Sequence, residues 1–79
     1  MSPTDAAWLS TLEEELLRAR ELEAAGKERL DDQEKRVSQL KAKDIHHPES
    51  ERLLDIMRET HELHASHVRL LESEVREFG

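Results

Sequence analysis

The chain has 79 residues, 39% of them charged and 3% aromatic, with 19 acidic residues against 12 basic ones and a net charge of −7. That length allows one small domain, whose core alone supplies only a few kcal/mol of stability, and the absence of cysteine excludes disulfides and thiolate metal sites, which fits a reducing compartment. The acidic balance opposes contact with phosphate backbones or anionic lipid, and no apolar run approaches the roughly 20 residues that cross a bilayer.

The N-terminal stretch MSPTDAAWLSTLEEE lacks the basic and apolar regions of a secretory signal, so a cytoplasmic location is expected. Proline occurs only at positions 3 and 48. Each suits the first position of a helix, where the missing N–H costs nothing. At the first, Ser2 can cap with Asp5 three residues on, and Thr4 is an alternative cap.

Helix one is expected over about residues 4–43. Leu9, Leu12, Leu16, Ala19, Glu23, Gly26, Leu30, Gln33, Val37 and Leu40 recur at alternating spacings of three and four, a heptad stripe with a weak middle. At 1.5 Å per residue this helix is about 60 Å long and must lie against something. Gly26, set in AAGKERL, reads as a point of close approach or as a break. Glu14 with Arg18, Glu23 with Lys27, Asp31 with Lys35 and Asp32 with Arg36 are spaced i,i+4, which supports one continuous helix.

A turn at about 44–47 leads into helix two, about 48–78, whose early Glu49 and Glu51 suit a helix N-terminus. At about 100° per residue, with Leu53 at zero, Leu71, His64, Met57, Val75 and Phe78 fall within about 40°. Val68 and His61 lie to one side, and Ile56, Leu63, Leu70 and His67 to the other. This arc covers roughly 200°, more than one neighbouring helix can shield. The predicted fold is an all-α antiparallel two-helix hairpin that dimerises into a four-helix bundle. Leu12, Leu16, Leu30, Val37, Leu40, Leu54, Met57, Val68, Leu71 and Val75 are its expected core and assembly residues.

In such a hairpin, residues whose numbers sum to about 91 lie level. His64 then meets Gly26 or Lys27, His61 meets Leu30, and His67 meets Glu23 or Ala24. The segment HELHASH therefore has three readings: packing imidazoles, a proton switch near their ordinary titration range, or a metal site of His61, His64 and His67 with Glu23. The last lacks the paired Glu-x-x-His repeat of carboxylate-bridged bundles, and HELHA has Ala65 where a zinc protease has its second histidine. Trp8 and Phe78 belong to the end away from the turn, as an end plug or as an anchor for a protein partner.

No Gly-rich phosphate loop, cysteine nucleophile or strand-borne serine elbow is present. A non-enzymatic protein without cofactor is expected. The stretches AAGKERLDDQEKRVSQL and SERLLDIMRETHELHASHVRLL together resemble a group of short alphaproteobacterial helical-hairpin proteins to which no activity is attached. Lys27 interrupts the Gly-Glu-Arg segment of that group, and His46-His47-Pro48 replaces its Gly- and Asp-bearing turn. The predicted architecture also looks like that of Rop-type dimers, which bind RNA. Arg18, Arg20, Lys27, Arg29, Lys35, Arg36, Lys41 and Lys43 would have to supply a basic stripe for that role, but acids interleave them.

Overall fold

The computed structural model describes residues 3–78. Two helices, α1 (Pro3–Ala42) and α2 (Pro48–Phe78), fold back on each other as an antiparallel hairpin of 62 × 15 × 14 Å. Among the described residues there is no strand, and no helix is long and apolar enough to cross a membrane. Ser2 lies outside the described residues. Thr4 sits inside α1 rather than at its cap, because Pro3 already opens the helix.

α1 runs without a break through Gly26. A Cβ built there would meet His64 Nδ1 at 3.5 Å, an ordinary van der Waals contact, so the helices do not approach closely enough to demand glycine. The apolar packing on both sides of Gly26 keeps α1 straight despite its helix cost of about 1 kcal/mol.

The reversal is fixed by backbone hydrogen bonds. Ile45 N–H donates to Leu40 C=O at 2.9 Å and Asp44 N–H donates to Lys41 C=O at 3.0 Å, the two bonds of a Schellman motif. Its left-handed position is Asp44, with φ 58°, where glycine is the residue with no Cβ penalty. Three residues on, His47 caps α2. Its Nδ1 accepts from Ser50 N–H at 3.2 Å and lies 2.7 Å from Ser50 Oγ, so an imidazole plays the part usually taken by Ser, Asp or Asn. Gln33 Nε2 then donates to Ser50 C=O at 2.9 Å, with Gln33 and Ser50 both buried. This bond ties the first turn of α2 to α1.

Between the helices, Leu12, Leu16, Ala19, Val68 and Leu71 form one buried cluster, with Val75 against it. Leu30, Val37 and Leu54 form a second, nearer the turn, with Met57 against it. Leu40 is half-buried. The α2 seam therefore runs Ser50, Leu54, Met57, His61, His64, Val68, Leu71, Val75, Phe78. Leu53 is exposed, so the buried arc is centred about 50° from Leu53 on the side of Leu54, because the contact with α1 selects the stripe that also carries Ser50 and Val68.

Two substitutions test the turn. Asp44→Gly should raise the stability by about 1 kcal/mol, read as a higher urea midpoint, by relieving the left-handed backbone of a residue with a Cβ. His47→Ala should lower it by about 1 kcal/mol and His47→Asn should largely preserve it.

Candidate interaction surface

Midway along the hairpin the two apolar clusters are separated by a layer of Glu23, Gly26, His61 and His64, all half-buried. The Nδ1 atoms of His61 and His64 are buried and have no hydrogen-bond partner. Together with Gly26, Arg29, Met57 and Thr60 these two rings line a half-open notch of about 100 Å³. His67 is exposed, one residue before the seam position of Val68. Among the described residues, no three His, Cys, Asp or Glu side chains are grouped so as to hold a metal ion.

On each helix the residue following a seam position is turned about 100° to one side, and the residue preceding it about 100° to the other. Because the helices are antiparallel, the preceding positions of both share one lateral face and the following positions share the opposite one. The ion pairs identify the second of these. Arg20 Nη2 lies 3.7 Å from Glu72 Oε1, Arg58 Nε 3.7 Å from Glu34 Oε1, and Lys41 Nζ 3.6 Å from Glu51 Oε1. Each of these six residues follows a seam position. Lys27, on the same face, reaches forward to Asp31 at 3.3 Å rather than back to Glu23. All these pairs are solvated, so each contributes only up to about 1 kcal/mol.

The opposite face is apolar along α2 and mixed along α1, where Glu15, Arg18, Arg29, Asp32 and Arg36 also precede seam positions. Six of the nine large hydrophobics exposed among the described residues lie there: Trp8 and Leu22 from α1, and Leu53, Ile56, Leu63 and Leu70 from α2. Each precedes a seam position. Leu17 is on the ion-paired face, Ile45 in the turn, and Phe78 at the seam's open end. Leu63 and Leu70 are the most open, at 70% and 64% exposure. On α2 this outer stripe reads Leu53, Ile56, Thr60, Leu63, His67, Leu70, a second heptad repeat offset from the seam by one residue. That offset is the signal in the sequence that separates seam from surface, and a single wide arc conceals it.

A larger depression of about 550 Å³ beside Asp31, Glu34, Lys35, Ser38 and Gln39 is walled by α1 alone and lies open to solvent. The histidine notch opens instead onto the apolar face, since Arg29 and Thr60 both precede seam positions. Trp8 and Phe78 stand exposed at the end away from the turn.

No protein-family model, curated protein or solved structure matches the chain.

Removing an unpartnered buried nitrogen and adding apolar contact should be favourable, so His64→Leu is expected to raise stability by about 1 kcal/mol. Denaturant unfolding of the two proteins side by side checks this. A lower midpoint would show that the imidazole makes a compensating interaction.

Proposed function

We propose that this chain is a small non-enzymatic assembly and interaction protein that acts as a homodimer, its two hairpins packed as a four-helix bundle that in turn binds another protein. One observation carries the reading: among the described residues, nine large hydrophobics are exposed while seven are buried, and six of the nine share one face. Contiguous apolar surface of this kind marks an interaction site, and an isolated hairpin with two small core clusters gains stability by covering it. The notch of about 100 Å³ is well below the 300–1,000 Å³ typical of small-molecule sites, and the depression of about 550 Å³ is an open surface on α1 rather than an enclosing cleft, which supports binding rather than catalysis. Trp8 and Phe78, together at one end, suit the anchoring of a further partner. A net charge of −7 weighs against nucleic acid and supports a basic or neutral protein surface.

A second reading is favoured by the two unpartnered imidazole nitrogens: a bundle whose stability responds to metal or protons through His61, His64 and His67, with Glu23 nearby. Melting the protein with and without zinc, and at pH 5.5 and 7.5, separates the two, because a ligand that binds only the folded state raises the midpoint. Identical melts remove this reading.

Light scattering at micromolar concentration should give twice the chain mass of 9.2 kDa. Leu63→Arg, on the apolar face, should reduce it to one chain. Leu17→Arg, also exposed but on the ion-paired face, should leave it unchanged. A single-chain mass for the unaltered protein would end the dimer reading.

A further inference from the structure

We propose that the second copy docks antiparallel on the apolar face, with α2 lying along the partner's α2 and the two-fold axis passing between Thr60 and Leu63. Each Leu63 then seats against the other protomer's notch beside Gly26, His61 and His64. The proposal rests on the dimer reading above and adds its orientation and register.

Two closed arrangements bring the same face of both copies together. With both turns at one end, each α2 lies along the partner's α1. Ile56 is then level with the partner's Arg36, Thr60 with the partner's Asp32 and Leu63 with the partner's Arg29, so the apolar residues of α2 are packed on charges that must lose water. With the turns at opposite ends, α2 meets α2. Centring the apolar stripe on itself sets Leu53 opposite the partner's Leu70, Ile56 opposite the partner's His67 and Thr60 opposite the partner's Leu63. The α2 stripe is self-complementary only in this second arrangement, in which α1 lies along the partner's α1, Leu22 comes level with the partner's Arg36 and Arg29 comes level with its own copy near the axis.

The charge distribution favours the same choice. The open end, residues 1–20 and 70–79, has seven acidic and three basic residues, while the turn end, residues 35–56, has five basic and four acidic ones. Antiparallel docking lays the acidic end of each copy along the turn end of the other, with Glu15 level with the partner's Lys43 and the partner's Asp44. Turns at one end would superpose the two acidic ends. Antiparallel docking does bring Glu49 level with the partner's Glu74, and Arg18 falls at that height to offset them.

Size and shape agree. A stable interface needs about 800 Å² from each partner, and one face of a body 62 Å by 15 Å spans about 900 Å² in projection. Leu63 is the most exposed large hydrophobic among the described residues. The notch lined by Thr60, His61, His64, Met57, Gly26 and Arg29 lies opposite it across the axis, a hole for a knob of that size.

The chain has no cysteine, so a single spin label can be placed at His46→Cys in the exposed turn, and dipolar distances read between the two copies. Antiparallel docking predicts labels about 45–50 Å apart, from some 31 residues of helical rise. A distance below about 25 Å in a protein of two-chain mass would overturn the antiparallel orientation while keeping the dimer. A single-chain mass with no dipolar signal would remove the dimer itself. Register is read separately by a disulfide between the copies in an equimolar mixture of Thr60→Cys and Leu63→Cys chains. The proposed register predicts a mixed Thr60→Cys/Leu63→Cys product well above the homodimeric ones, and predominance of either homodimer overturns it.

Discussion

Two heptad stripes offset by one residue share the surface of α2, and a hairpin can cover only one of them. An α-helix turns 100° per residue, so stripes one residue apart face directions a right angle or so from each other. The seam stripe from Ser50 to Phe78 meets α1; the stripe from Leu53 to Leu70 meets solvent. α1 makes no equal demand, since outside its seam it carries mainly Glu, Asp, Lys and Arg. The asymmetry between the helices gives the hairpin one face held by solvated ion pairs and one face of exposed leucines.

The seam itself is uneven. Its apolar clusters sit toward the two ends, and the middle layer holds Glu23, Gly26, His61 and His64, where little apolar area is buried and two ring nitrogens lack partners. Such a layer lowers stability relative to leucine at the same positions. It also leaves a notch at mid-height, which a continuous apolar seam would have filled. Register is held from elsewhere, by the Schellman turn around Asp44, the His47 cap and the Gln33 bond to the first turn of α2.

Much of the hairpin is legible in the residues. Pro3 and Pro48 begin the helices, and the three-four spacing of Leu12, Leu16, Leu30 and Val37 marks the α1 seam, because missing N–H groups and apolar periodicity act locally. Other features are not legible this way. The i,i+4 pairs that the spacing offers to Arg18, Lys35 and Arg36 are not among the ion pairs of the described residues. Arg20, Lys41 and Arg58 reach across to Glu72, Glu51 and Glu34. Gly26 reads as a contact point, yet the space beside it would admit a methyl group. By residue type His47 is an unremarkable cap, and its capping role depends on a ring orientation that Ser50 helps to set.

By itself, the sequence determined that the chain forms two long amphipathic helices joined by a short turn and that it carries more apolar circumference than one neighbour can shield, since periodicity and helix-start residues are properties of a single strand of text. Only the tertiary structure decided which of the two stripes on α2 becomes the seam. That choice depends on how α1 is rotated against α2 when the turn closes, and a one-residue difference in that rotation exchanges Leu54, Val68 and Leu71 for Leu53, His67 and Leu70. The packed hairpin settles it by burying the stripe that matches α1 in register, and so fixes which leucines remain outside.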